Sequence, residues 1–266
     1  MKSFNSRLSH HIAAKHSWLC VGLDINPENL SKVNPTLDDL NIHTKKVIDA
    51  TREFATAYKP NLAFFERWGS KGFSWLEETM DYIGQETLTI GDGKRGDIGH
   101  TAKQYAISLF DHFGFDAVTL NPYMGRDAID PFIQNPEKGV FMLCRTTNTS
   151  GGDLQNLEGN GKRIFETVAE YCASLNGNNN VGLVAGATVP EEIKSIRKYA
   201  PGLPLLIPGI GSQGGDLEAS LTAGNTNGAA LINVSRGIIF AGDQSEEAIH
   251  DAAKNYVEKM RMIINK

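Results

Sequence analysis

The sequence predicts an α/β fold, a single (β/α)8 TIM barrel, on three observations. Short apolar segments alternate with longer amphipathic segments along the chain. Parallel strands need long crossovers, and the amphipathic segments supply helices for them. Eight such units within 266 residues fit a closed barrel better than an open doubly wound sheet. No linker or break in composition divides the chain, so we expect one domain over residues 1–266.

The predicted strands and helices alternate in order along the chain. The strands are expected at residues 18–24, 57–65, 88–91, 117–121, 139–144, 181–187, 204–210 and 230–234. The helical patterns include residues 36–54, 74–83, 101–113, 162–175, 191–198 and 246–263. Residues 176–180 are expected to form a tight loop between a helix and a strand.

Composition narrows the class of protein. Hydrophobic residues make up 41% of the chain and charged residues 21%, which is typical of a globular protein. The formal net charge is −5 and the basic residues are scattered, so no nucleic-acid-binding surface is expected. No apolar run is long enough for a membrane span, and the N-terminus lacks the apolar segment of a signal peptide. We therefore expect a cytoplasmic protein without a membrane partner.

The cysteines and histidines form no metal-binding pattern. Cys20, Cys144 and Cys172 are far apart and never in a CxxC pair, so neither a disulfide framework nor a zinc site is expected. The seven histidines show no HxH or HExxH spacing. The sequence therefore predicts neither a metal ion nor a bound cofactor.

Polar residues and glycines cluster directly after the predicted strands. These positions are 24, 92–97, 121, 146–152, 209–215 and 235–237. In a barrel of this type the C-terminal strand ends form the active face. We expect these clusters to converge there.

The densest cluster is the segment DGKRGD. Asp92 and Lys94 are two residues apart at a strand end, so their side chains are expected to point together into the barrel mouth, while Gly93 leaves the other face open. Asp97 lies beyond them on the loop. A solvated loop with weak surface ion pairs would contain the same residue types. The segment alone does not separate these two interpretations.

Lys59 favours the functional interpretation. It lies inside an otherwise apolar strand, and lysine is almost never fully buried without a partner. A network of Lys59, Asp92, Lys94 and Asp97 would pair these charges and keep a lysine cationic among carboxylates. A lysine that forms a Schiff base needs the opposite environment, one that lowers its pKa. The network therefore predicts a proton donor.

A second signal is a glycine-rich turn after the seventh predicted strand. Gly209, Gly211 and Gly214 allow backbone N–H groups to approach an anion, and Arg236 follows the eighth strand. A barrel's usual phosphate site is formed after these two strands. The glycines also match a dinucleotide fingerprint, but only one strand and one helix follow them, too few for a dinucleotide-binding sheet. We therefore expect a binding site for a phosphate monoester here.

With these residues in place, the chain resembles the orotidine 5'-phosphate decarboxylase family, and more closely the branch found in some bacteria whose motif reads DxKRGDI. Matches cover most of the chain, at residues 22–24, 59–61, 64–66, 92–101, 186–188, 208–216 and 235–237. The resemblance implies a homodimer that decarboxylates orotidine 5'-phosphate to uridine 5'-phosphate without a metal or cofactor.

The resemblance also implies catalytic roles for the charged residues. Lys94 would protonate C6 of the pyrimidine as carbon dioxide leaves, with Asp92 beside the departing carboxylate. Lys59 would complete the charged group. Asp97 and Thr101 would reach into the site of the partner subunit.

Substrate-binding roles follow in the same way. The resemblance implies that Asp24, together with Lys59, holds ribose hydroxyls, and that Gln213 and Arg236 bind the phosphate. Thr147 would read the pyrimidine. The loop around it departs from the family's serine-asparagine-proline pattern, because Thr149 stands where the proline is usual.

Two other functions remain open at this stage. A metal-dependent sugar-phosphate lyase on a related barrel shares the DxKxxD pattern, but it places a glutamate near the position of Lys59. A barrel that only binds a phosphorylated ligand would not need four clustered charges, whose desolvation is costly.

Overall fold

The structure is a computed structural model that describes residues 2–211 and 214–266. Eight parallel strands close into a barrel, which confirms the predicted fold class. The first and last barrel strands pair with each other and complete the ring. In the described residues, no helix has both the length and the apolar character needed to cross a bilayer.

The barrel strands are β1 (Leu19–Leu23), β2 (Ala57–Pro60), β3 (Leu88–Arg95), β4 (Ala117–Leu120), β5 (Gly139–Arg145), β8 (Val181–Ala185), β9 (Leu205–Pro208) and β10 (Ala230–Val234). A short antiparallel hairpin lies between them, formed by β6 (Glu158–Gly159) and β7 (Lys162–Arg163).

The helices are α1 (Phe4–Lys15), α2 (Leu37–Thr51), α3 (Leu62–Glu66), α4 (Ser70–Ile83), α5 (Gly99–Ile107), α6 (Arg126–Ile133), α7 (Gly152–Gln155), α8 (Ile164–Ser174), α9 (Pro190–Tyr199), α10 (Leu217–Asn225), α11 (Arg236–Ile239) and α12 (Glu246–Ile264). A π-helical turn at Ser108–His112 extends α5, and 3-10 turns occur at Pro27–Asn29, Pro122–Met124, Thr149–Gly151 and Asn176–Asn178.

The barrel strands are buried on both faces. Every residue of β1, β8 and β10 is buried, as expected for parallel strands that have helices outside and side chains filling the interior. The helices around them follow ordinary capping rules. At α2, for example, Thr36 accepts a hydrogen bond from the Asp39 N–H while Asp39 accepts one from the Thr36 N–H. The fold therefore presents its strand ends on a rigid frame.

The second predicted strand was wrong in its length. The structure ends β2 at Pro60, and Asn61 caps α3 by accepting a hydrogen bond from the Ala63 N–H. The apolar residues that follow belong to that short helix, because an apolar run alone does not distinguish a strand from a buried helix. The chain consequently leaves the sheet within two residues of Lys59.

Candidate active site

The end of β3 carries the residues predicted to perform chemistry. Its pairing with β4 shifts register between Gly91 and Arg95, and within that bulge Lys94 has a φ of +46°. Asp92 and Lys94 do meet at the barrel mouth, but through this irregular backbone rather than through simple strand alternation. The far side of Gly93 is not open as predicted, because a Cβ atom there would lie 2.7 Å from Leu62 Cδ1.

Asp92 is the centre of the charged group. Its Oδ2 lies 2.7 Å from Lys59 Nζ and its Oδ1 lies 2.6 Å from Lys94 Nζ. Thr119 of β4 donates its hydroxyl hydrogen to the same Oδ1 at 2.9 Å and accepts a hydrogen bond from the Lys94 N–H at 2.9 Å. Asp24 extends the group, with its Oδ1 4.0 Å from Lys59 Nζ. One fixed carboxylate thus orients two ammonium groups.

Burial and charge set the ionisation of this group. Burial alone would raise the pKa of Asp92, but the ammonium groups of Lys59 and Lys94 outweigh it and hold that pKa well below its usual range. Burial alone would lower the pKa of Lys59, but the carboxylates of Asp92 and Asp24 raise it above its ordinary value. Both groups are therefore charged at neutral pH, which contradicts a Schiff-base role for Lys59.

The two lysines differ in exposure. Lys59 is 4% exposed within β2, whereas the Lys94 side chain keeps 47% of its surface accessible. Lys59 therefore lies buried below the mouth, while the Lys94 side chain is accessible at the mouth itself. In the described residues, no group of three or more histidine, cysteine, aspartate or glutamate side chains is arranged to hold a metal ion.

Asp97 is not part of this group within one chain. Its Oδ1 accepts a hydrogen bond from the Ile98 N–H, and it makes no ion pair with Lys59 or Lys94. Thr101 is exposed on the first turn of α5. The structure therefore joins three of the four predicted catalytic residues and leaves Asp97 outside.

The glycine-rich turn follows β9 as predicted. Gly209, Gly211 and Gly214 have φ angles of +106°, +82° and +75°, which a side chain would strain. Because β9 and β10 are paired neighbours, this turn lies beside exposed Arg236, the first residue of α11. Gln213, the other residue expected at the phosphate, lies outside the described residues.

Several buried polar atoms at the ends of β1 and β10 have no hydrogen-bond partner among the described residues. They are Oδ1 of Asp24, Oδ1 of Asn233 and Oγ of Ser235. Gly22 lies beside the last two of these atoms, since a Cβ atom there would be 3.2 Å from Asn233 Oδ1 and 3.3 Å from Ser235 Oγ. Unpaired buried polar atoms are costly, so their clustering here indicates a place where a ligand supplies hydrogen bonds.

The chain matches the family model described as "Orotidine 5'-phosphate decarboxylase / HUMPS family" over residues 17–250. The chain belongs to this family.

Individual relatives agree with the family match. An orotidine 5'-phosphate decarboxylase of Natronomonas pharaonis is 46% identical over 97% of this chain and 98% of its own length. The solved structure of Leishmania donovani OMP decarboxylase is 40% identical, with a TM-score of 0.88 and 99% of each chain covered. The structure of Leishmania donovani UMP synthase is 41% identical with the same TM-score of 0.88, and this chain spans 57% of it.

Several residues that shape the site were not predicted from the sequence. Thr119 is 1% exposed, and only the register of β4 against β3 brings its hydroxyl to Asp92. Arg95 pairs with Glu66 and lies over the ring of Tyr105, 5.2 Å from its centroid, so it ties the residue after Lys94 to α3 and α5. Arg95 was visible in the DxKRGDI motif, but nothing in the sequence identified its partners.

Proposed function

We propose that this chain decarboxylates orotidine 5'-phosphate (OMP) to uridine 5'-phosphate (UMP), the last step of de novo UMP synthesis, without a metal or cofactor. The observation that carries the proposal is the Asp92 carboxylate fixed between the ammonium groups of Lys59 and Lys94 at the barrel mouth. Relatives that are 40–46% identical over nearly the whole chain bear the name of this activity.

The charged group suits the chemistry of the reaction. Loss of carbon dioxide breaks the bond between C6 and the carboxylate carbon and leaves the electron pair on C6, in the plane of the ring. The Lys94 ammonium stabilises this charge and then donates a proton to C6. Asp92 and Thr119 hold the Lys94 side chain and backbone in advance, so little reorganisation accompanies the reaction. The Asp92 carboxylate repels the substrate carboxylate, and that repulsion is relieved as carbon dioxide leaves.

The rest of the substrate has matching groups around the mouth. We assign the ribose hydroxyls to Lys59 and to Asp24, whose Oδ1 has no hydrogen-bond partner among the described residues. The phosphate is assigned to the glycine-rich turn, Gln213 and Arg236, and the pyrimidine to Thr147. Binding of the phosphate, remote from C6, supplies energy that raises turnover by ordering the site.

Metal independence rests on how the Asp92 oxygens are used. Lys59 occupies Oδ2, and Lys94 together with Thr119 occupies Oδ1. A divalent cation would have to displace an ammonium group to reach this carboxylate. The cationic transition-state stabiliser in the proposal is Lys94 itself, not a metal ion.

We also propose that the active unit is a homodimer in which Asp97 and Thr101 complete the site of the partner subunit. Asp97 makes no ion pair with the lysines of its own chain, which leaves it available to another site. Large apolar side chains are exposed on α5 and on the neighbouring β3 and β4 loops: Ile98, Ile107, Tyr123 and Met124. Exposed apolar side chains on neighbouring elements favour a protein interface on this side of the barrel.

The proposed activity is tested by incubating the protein with OMP and measuring UMP and carbon dioxide. We expect the two products in equal amounts from the wild type. Lys94→Ala removes both the proton donor and the charge stabiliser, so its kcat falls by at least about 10³-fold. A wild-type protein that binds OMP but releases no carbon dioxide would leave only the ligand-binding function.

A further inference from the structure

The side-chain amide of Gln155, at the end of α7, ties down the base of the loop after β5. Gln155 Oε1 accepts hydrogen bonds from the Thr146 N–H at 3.0 Å and from Arg145 Nη1 at 3.0 Å. Its Nε2 donates to Thr146 Oγ1 at 2.8 Å. One side chain therefore closes the loop at its base, using both its donor and its acceptor.

The base of the loop is itself rigid. Arg145 Nη1 also donates to the Thr146 carbonyl at 2.9 Å, and Arg145 Nε lies 2.5 Å from the Glu192 carboxylate of α9. The loop folds back closely on this point, since a Cβ atom at Gly151 would lie 2.7 Å from Thr146 Oγ1. Gln155 thus fastens the loop to a partly buried ion pair between β5 and α9.

Thr147 directly follows Thr146, the residue that Gln155 holds. In the proposed function, Thr147 binds the pyrimidine. Its methyl group packs at the end of β8, where a Cβ atom on Gly186 would lie 2.8 Å from Thr147 Cγ2. Its hydroxyl makes no hydrogen bond within the described chain, so it can bond a ligand. Fixing the backbone at Thr146 and the methyl group at Gly186 leaves the Thr147 hydroxyl with little freedom.

We infer that Gln155 is a positioning residue for pyrimidine recognition: it holds the loop so that the Thr147 hydroxyl meets the base. The inference rests on the proposed function. It also accounts for Thr149, which lacks the fixed φ of a proline and cannot stiffen the loop by itself. The hydrogen bonds of Gln155 provide that stiffness from outside the loop.

The test compares a ligand that contains the pyrimidine with one that does not. We expect Gln155→Ala to weaken UMP binding about tenfold, which corresponds to about 1.4 kcal/mol, and to leave ribose 5-phosphate binding unchanged. Gln155→Glu keeps the acceptor oxygens for Thr146 and Arg145, so it should recover most of the UMP affinity. Thr147→Ala should weaken UMP to a similar extent, and adding Gln155→Ala to it should cost little more, because both changes remove the same contact.

Each outcome decides the inference. Equal weakening of UMP and ribose 5-phosphate would show a general structural role and overturn it, as would unchanged UMP binding in Gln155→Ala. Thermal unfolding of each variant establishes that it is folded at the assay temperature. Failure of the proposed function is distinguishable, because it appears in the wild type as absence of OMP turnover.

Discussion

Lys94 holds its position at the cost of backbone strain. Its φ of +46° is a conformation that side-chain-bearing residues rarely adopt. Neighbouring contacts keep it there: the Lys94 N–H bonds Thr119, and the next residue, Arg95, is held by Glu66 and by its carbonyl bond to the Asn121 N–H. Strain that the surroundings enforce is typical of functional sites. Here it aims the ammonium group into the mouth.

The strain predicts an inverted order of stability for two variants at this position. Both Lys94→Gly and Lys94→Ala lose the side chain, but only glycine adopts a positive φ without strain. We expect Lys94→Gly to exceed Lys94→Ala in free energy of unfolding by about 1 kcal/mol, measured by urea denaturation. At an ordinary extended strand position alanine would be the more stable by a similar amount. A more stable Lys94→Ala variant would therefore contradict the strained geometry.

At the scale of elements, most of the barrel could be predicted and parts of the helical layer could not. Strand positions follow from apolar runs, and the site residues follow from polar positions at strand ends. The N-terminal helix α1 was missed because its apolar face is defined by tertiary packing: Phe4 stacks edge-on against Phe141, where Gly139 leaves room for the ring. The roles of Thr119 and Gln155 were missed because register and loop closure bring their partners together.

The turns after β9 and β10, which are assigned to the phosphate, both pack against α12. A Cβ atom added to Gly211 would lie 2.9 Å from the hydroxyl oxygen of Tyr256. A Cβ atom added to Gly237 would also lie 2.9 Å from that oxygen. Both turns therefore approach the helix closely only because they lack side chains. Gly237 has no positive φ, so a substitution there tests this contact without backbone strain.

Gly237→Ala should displace the turn that carries Arg236 and raise the KM for OMP several-fold. The rise should be reversed in the double variant with Tyr256→Phe, because without the hydroxyl the nearest ring carbons of Tyr256 lie 3.7 Å from the new Cβ atom, an ordinary contact. Tyr256→Phe alone is the matched control. Additive effects of the two substitutions would contradict the proposed packing of α12 against the phosphate turns.

At the scale of the whole molecule, the proposed site is incomplete in one chain. The described residues bring together Lys59, Asp92 and Lys94, while Asp97 lies apart on a loop beside the exposed apolar side chain of Ile98. In a two-fold dimer, both subunits use the same surface at the interface. The loops that carry Asp97 therefore either both reach the partner's barrel mouth or both fail to reach it. The sequence suggested this sharing only through the family resemblance, since no intrachain pattern reports a partner.

Mixing two inactive variants tests the shared site. Lys94→Ala and Asp97→Ala subunits should each be inactive alone, but in a heterodimer one site receives both defects and the other receives none. We expect up to about half of the wild-type activity per heterodimer. No recovery, after subunit exchange has been verified with differently tagged subunits, would show that Asp97 acts within its own chain.

We propose above all that the charge network of Lys59, Asp92 and Lys94 decarboxylates OMP without a metal ion. This proposal is tested most directly by following the loss of OMP absorbance with protein stripped of metal by EDTA and assayed in the chelator's presence. Because Lys59, Lys94 and Thr119 occupy the Asp92 oxygens, we expect the stripped protein to retain full kcat and added Mg²⁺ to have no effect. Loss of turnover in EDTA that Mg²⁺ restores would contradict this account and favour a metal-dependent lyase.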